Sequence, residues 1–185
     1  MVSKRGFAEA LKTLLDLDFR FTVIGGSVVE LALGSSDLGE DIDVFAEHPS
    51  VIFEEDAYRR AAEENLWDIG QTWLGTLRLI VRAGGEEVPV EFYDNIHDFY
   101  VPELIIRRSV RVPVDELRVK MILLEDHLVL KANAGRSGDI ERLKEIGRLI
   151  KKRRISLDTK KIVEAASEFE DKDVILRRLR EAAIL

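Results

Sequence analysis

Three features of the 185-residue chain predict an α/β (α+β) fold: a small mixed β-sheet with flanking helices, followed by a helical C-terminal part. Apolar runs of strand length break into glycine turns at Phe21-Thr22-Val23-Ile24-Gly25-Gly26-Ser27 and at Ala83-Gly84-Gly85-Glu86. Acidic and apolar residues alternate in Asp41-Ile42-Asp43-Val44, the period of a half-buried strand. From about Leu124 onward the apolar spacing lengthens to that of amphipathic helices.

Each element has its own reason. Ser3 can cap a helix to about Leu17, with Phe7, Ala8, Leu11, Leu14 and Leu15 on its apolar face. Phe19 to Ile24 reads as a buried strand, Ser27 to Leu33 as a short helix stopped by Gly34, and Ile42 to Ala46 as a second strand. Glu54 to Leu66 is helical, its acidic start Glu54-Glu55-Asp56 suited to the positive end of a helix dipole. Ile69 to Trp73, Thr76 to Arg82 and Glu87 to Tyr93 are strands, the last two joined as a hairpin through Gly84-Gly85. From there to about Leu117 the pattern is irregular, broken by Pro102 and Pro113. Helices follow over about Leu124 to Ala134, Gly138 to Lys152, Thr159 to Glu168 and Val174 to Ala183. The expected division is an α/β core over 1–100 and a helical part over 101–185 packed on it, because no Gly/Ser linker separates them.

Composition narrows the function. The net charge of -7 argues against indiscriminate nucleic-acid binding, since the chain as a whole repels phosphate. The basic run Lys151-Lys152-Arg153-Arg154, with Lys160-Lys161, is read first as a solvated helix end. No cysteine is present, which excludes disulfides and thiolate metal sites and points to a reducing cytoplasmic compartment. The N-terminus lacks the apolar stretch of a signal peptide, and no run is long enough to span a bilayer. Asn and Gln occur only at Asn65, Gln71, Asn95 and Asn133, a bias that, with the many charges, suggests a thermophilic source. His48, His97 and His127 have no metal-ligand spacing, and Trp67 and Trp73 read as core or rim aromatics.

The chemistry lies in a conjunction. A strand ending in Gly25-Gly26-Ser27 offers backbone N–H groups at a helix start, where an anion is favoured. Asp41 and Asp43, at i and i+2 of a strand, fall on one face. Two carboxylates beside a phosphate cradle suit divalent-metal phosphoryl transfer. Neither a P-loop nor a dinucleotide glycine motif is present.

Gly25-Gly26-Ser27, then thirteen residues of spacer, then Asp41-Ile42-Asp43-Val44 resembles the signature of the polymerase-β-like nucleotidyltransferase superfamily. The small size is similar to minimal nucleotidyltransferases and to the toxin-type branch of toxin–antitoxin systems. The resemblance implies a third carboxylate on a later strand. Val88-Pro89-Val90-Glu91-Phe92 supplies Glu91 there, in preference to Asp94, which begins a turn. Glu125 to Asp139 resembles the toxin-type branch, where a helix carries a lysine (Lys131), followed by an arginine (Arg136) and an aspartate opening the next helix (Asp139). One departure is Glu40, an extra negative charge where relatives often carry a hydroxyl or basic residue.

What the resemblance implies is transfer of a nucleoside monophosphate from an NTP to a hydroxyl acceptor: the 3′ end of a tRNA, a protein or a small molecule. Asp41, Asp43 and Glu91 would be catalytic and hold two Mg²⁺ ions, with Mn²⁺ as the alternative ion. Gly25, Gly26 and the Ser27 N–H and hydroxyl would hold phosphates, and Lys131, Arg136 and Asp139 would serve the nucleotide. A cognate partner protein belongs to the toxin–antitoxin reading. The rival reading is a non-catalytic interaction module, or antitoxin-like partner, on the same fold.

Overall fold

The computed structural model describes residues 1–96, 99–153 and 155–185; the readings made for His97 and Arg154 lie outside the described residues. The chain forms two compact units, Met1–Val101 with Ser109–Met121, and Pro102–Arg108 with Ile122–Leu185.

The first unit holds α1 (Lys4–Asp16), β1 (Arg20–Val23), α2 (Gly26–Ala32), β2 (Ile42–His48), α3 (Glu55–Asn65), β3 (Asp68–Gln71), β4 (Leu77–Ala83), β5 (Glu86–Tyr93), β6 (Val110–Val114) and β7 (Leu117–Met121). Its seven strands make one mixed sheet in the order β3-β4-β5-β2-β1-β7-β6. The pairs β2–β5 and β1–β7 are parallel, and the other neighbours are antiparallel.

Register explains the two faces. Phe92, Val44, Val23 and Met121 line up across β5, β2, β1 and β7, and Leu79, Val90 and Ile42 form a parallel row. All seven are buried. On this face Tyr58 of α3 packs edge-on against Phe19 and Phe92, at ring distances of 5.0 and 4.8 Å. Its hydroxyl donates to Pro49 O at 2.7 Å, so the ring is buried without stranding its polar end. The period of a strand sends the alternate residues of β4, β5, β2, β1 and β7 to the opposite face, which is polar. Ser3 caps α1 by accepting from Gly6 N at 3.0 Å, and it donates to Glu86 at the start of β5.

Three expectations change. Leu15 was placed on the apolar face of α1 but is 40% exposed. The stretch read as irregular up to Leu117 contains the β6–β7 hairpin, and Pro113 sits inside β6. A proline is tolerated there because β6 is the sheet's edge, where one side of the strand needs no ladder bond. In place of a single division near residue 100, residues 102–108 belong to the second unit and 109–121 to the sheet unit.

The second unit holds α4 (Glu103–Arg107), α5 (Leu124–Ala134), α6 (Ser137–Arg153), α7 (Thr159–Ala166) and α8 (Lys172–Glu181). Leu128, Val129 and Ala132 of α5 are buried, together with Leu143 and Ile146 of α6, Ile162 of α7 and Ile175 and Leu179 of α8. Gly147 lets α6 approach the end of α8, since a Cβ built on it would overlap the Ala182 carbonyl. Lys151, Lys152 and Arg153 occupy the last turn of α6 and are exposed, as a solvated helix end requires. Among the described residues, no helix is long and apolar enough to cross a membrane.

Candidate active site

The polar face of the sheet brings the predicted acids together. Arg78 of β4 pairs with Glu91 of β5, and Glu91 pairs with Asp43 of β2, giving one row across three adjacent strands. Directly opposed side chains stand about 5 Å apart at Cβ, so Asp43 and Glu91 share one local field. Asp41, just before β2, is half-buried like Asp43 while Ile42 and Val44 between and after them are buried. That alternation puts both aspartates on the face of Glu91. Burial pushes the Asp41 carboxyl above the usual carboxylate range, and the neighbouring Glu91 and Glu40 push the same way against the pull of Arg78.

Glu91 is buried and held from two sides. Tyr93 Oη donates to its Oε2 at 2.5 Å, and Arg78 Nε lies 3.3 Å from Oε1 as an ion pair. Burial pushes the Tyr93 phenol upward, helped by Asp43, Glu91 and Asp41, so it stays a donor at any working pH. Asp94, the rival third carboxylate, lies past the end of β5. Its oxygens accept from Ser50 Oγ at 3.3 Å and from Asn95 N at 2.7 Å.

The glycine turn adjoins the row. Ile24 N donates to Asp43 O at 2.9 Å, so the chain reaches Gly25 right beside Asp43. Gly25 has φ 73, and a Cβ on it would overlap the Asp43 carboxylate. Glycine is therefore required there twice, by conformation and by space. Gly26 differs: it is exposed, and a Cβ on it would meet nothing within 4 Å. Ser27 is buried, and its hydroxyl donates to Leu38 O at 2.9 Å. The hydroxyl thus ties α2 to the 35–40 loop, and the Ser27 backbone N–H lies in the first turn of α2.

The family model described as nucleotidyl transferase of unknown function (DUF2204) matches residues 3–181. The chain belongs to this family. It is a nucleotidyltransferase, the activity that its motifs imply. Two solved structures are similar in fold. An antigenic nucleotidyltransferase-like protein from Paracoccidioides brasiliensis has a TM-score of 0.54 and 14% identity, over 97% of this chain and 88% of that one. The antibiotic-resistance factor ANT(2'')-Ia has a TM-score of 0.54 and 13% identity, over 93% of each chain. At such identities the likeness speaks for the fold. No curated protein matches the chain.

In the nucleotidyltransferase's helical unit, Lys131 Nζ donates to Asp139 Oδ1 at 2.8 Å, and Arg136 Nε lies 3.9 Å from Asp139 Oδ2. The three residues singled out there do come together, with one another. They adjoin His127, whose imidazole is pushed down to about 3 by burial and then by Lys131 and Arg142. Arg78 and Tyr93 escaped the sequence reading. The period-2 spacing from Glu91 would have found Tyr93, whereas Arg78 needs the β4–β5 register.

Proposed function

We propose that this nucleotidyltransferase moves a nucleoside monophosphate from an NTP to an acceptor hydroxyl on the polar sheet face where Asp41, Asp43 and Glu91 adjoin the Gly25–Ser27 turn. The observation that carries the reading is the row of acids beside a turn whose second glycine leaves its backbone open. A chain that only needed a turn has no use for bare backbone at Gly26.

The donor set fits a magnesium ion. Among the described residues no three carboxylate or imidazole groups form a ready-made metal cage. Mg²⁺ characteristically takes one or two carboxylates and completes its shell with water and substrate phosphates. Asp41 and Asp43 are that pair, and the repulsion that Glu91 and Glu40 exert on Asp41 is relieved by a cation. Bound there, Mg²⁺ or Mn²⁺ supplies charge neutralisation for the triphosphate and the departing pyrophosphate.

The residues divide the remaining work. The Gly26 and Ser27 N–H groups face the phosphates, and Gly25 keeps Asp43 close to them. Glu91, oriented by Tyr93 and Arg78, accepts the proton of the attacking hydroxyl. The acceptor oxygen bonds to the α-phosphorus, and the bond from that phosphorus to the oxygen bridging to the β-phosphorus breaks. Pyrophosphate leaves with the electron pair. In the helical unit we assign Lys131 and Arg136 to nucleotide phosphate, with Asp139 orienting both cations.

Incubation with each α-labelled NTP, a divalent ion and total cellular RNA or protein tests the proposal. Label should pass to a macromolecule only with the ion present, and Asp43→Ala should end it. Equal labelling by Asp43→Ala would remove the site from this face.

A further inference from the structure

The polar face continues past the acids into a basic groove. A cavity of about 390 Å³ in the sheet unit is lined by Arg20, Arg111, Arg118, Lys120, Glu47 and Leu15, with a few neighbours. Four cations thus meet one carboxylate in a chain whose net charge is -7. That carboxylate is already used: Glu47 accepts from Lys120 Nζ at 2.8 Å and from Thr22 Oγ1 at 2.6 Å. Arg20 touches only Asp18, at 3.3 Å, both side chains exposed. Arg111 and Arg118 have no carboxylate partner among the described residues.

The register makes this arrangement costly. Arg111 and Lys120 sit directly opposite each other on β6 and β7, and Arg118 is two residues before Lys120 on the same face. Like charges opposed across strands destabilise a sheet. Burial does not explain them, since Arg111 and Arg118 are exposed. An anion in the groove would turn the repulsion into attraction.

The layout also describes the anion. The cations are spread over β1, β7 and β6, three strands of the sheet, and so suit a series of phosphates better than one. Thr22, which donates to Glu47, pairs with Phe45, two residues from Asp43, so Glu47 and Lys120 stand on the face of the acids, while Phe21 and Val119 line the groove from strand positions of the opposite face. Two strand spacings and two residues separate Lys120 from Asp43, about 12 Å, a few nucleotides' reach.

We propose that the acceptor is a single-stranded nucleic acid whose phosphodiester backbone lies on Arg20, Arg111, Arg118 and Lys120, its terminal hydroxyl delivered to the Asp43–Glu91 row. The inference rests on the nucleotidyl-transfer reading above. None of these four side chains has a part in holding the NTP.

Fluorescence anisotropy with a labelled single-stranded RNA, repeated with its DNA counterpart at rising salt, tests it. The intact protein should bind with a clear salt dependence. Arg111→Glu with Arg118→Glu should weaken binding about tenfold or more. The milder Arg111→Gln with Arg118→Gln should flatten the salt slope by about 1.4, the share of two phosphate contacts on a single strand. In both variants the rise in melting temperature caused by Mg²⁺ plus NTP should match that of the parent, which also shows that the fold is intact. Strands that do not bind the parent, or that bind the charge-reversed variant equally well, overturn the proposal. So does a tightly bound inorganic triphosphate that excludes the strand without competing with NTP. A parent whose melting temperature ignores Mg²⁺ and NTP defeats the transfer reading and with it the acceptor role, and the anisotropy then reports on the groove alone.

Discussion

Asp126 and Asp139 of the helical unit of this nucleotidyltransferase and Asp41 of its sheet unit are buried or half-buried carboxylates, and their surroundings are opposite. The first two each have a cation. Fully buried Asp126 takes Arg108 Nε on both oxygens at 3.1 Å, and Arg108 also reaches Lys161 O at 2.9 Å and Glu164 at 3.1 Å. Asp139 takes Lys131. On the sheet face, Asp41 has Glu91 and Glu40 as its strongest acidic neighbours, and burial and repulsion push its carboxyl upward together. Paired acids hold a fold together, whereas acids gathered with acids lower stability until a cation arrives. The difference separates architecture from chemistry within one chain.

The comparison breaks most visibly at Asp43 and Arg108. Asp43→Ala should lower nucleotidyl transfer by about a thousandfold or more, while the melting temperature without metal holds or rises. Arg108→Ala should do the reverse, because it leaves the Asp126 charge buried without its partner. A loss of about 3–5 kcal/mol in denaturant unfolding is expected. If Asp43→Ala destabilises as Arg108→Ala does, the sheet acids are structural too.

Glycines sharpen the same contrast. Gly147→Ala presses a methyl into the Ala182 carbonyl and should cost about 1–3 kcal/mol of stability. Gly26→Ala meets nothing in the protein, so its stability should change little while NTP affinity falls. Unfolding curves and NTP titrations on the two variants read this directly.

A gradual effect concerns pH. His127 is neutral in the folded chain down to about 3, whereas in the unfolded chain it gains a proton below its ordinary value near 6.5. The unfolded state therefore binds more protons between those values, and stability should fall as pH drops below about 6.5, by up to about 1.4 kcal/mol per unit. The slope should disappear in His127→Leu if this imidazole is its source.

Local pattern made much of this legible. Strand alternation placed Asp41, Asp43 and Glu91, and the glycine after an apolar run placed the turn, since both are short-range rules. The β6–β7 hairpin was hidden because Pro113 reads as a breaker, although Arg111, Arg118 and Lys120 alternate with apolar residues as in a half-buried strand. Only its edge position makes that proline acceptable, and position in a sheet is a long-range fact. Arg78 and the basic groove were invisible for the same reason, since each exists through cross-strand register. Ser27 shows the converse: its motif was plain, but whether the hydroxyl turned outward or towards Leu38 depended on a loop residue eleven positions away.

Thermal unfolding with Mg²⁺ alone, NTP alone and both together tests the central claim that the gathered acids await a metal–nucleotide complex. Mass action on one shared site predicts a rise with both that exceeds the sum of the separate rises, and predicts its loss in Asp43→Asn. Additive shifts, or an undiminished joint rise in Asp43→Asn, would contradict it.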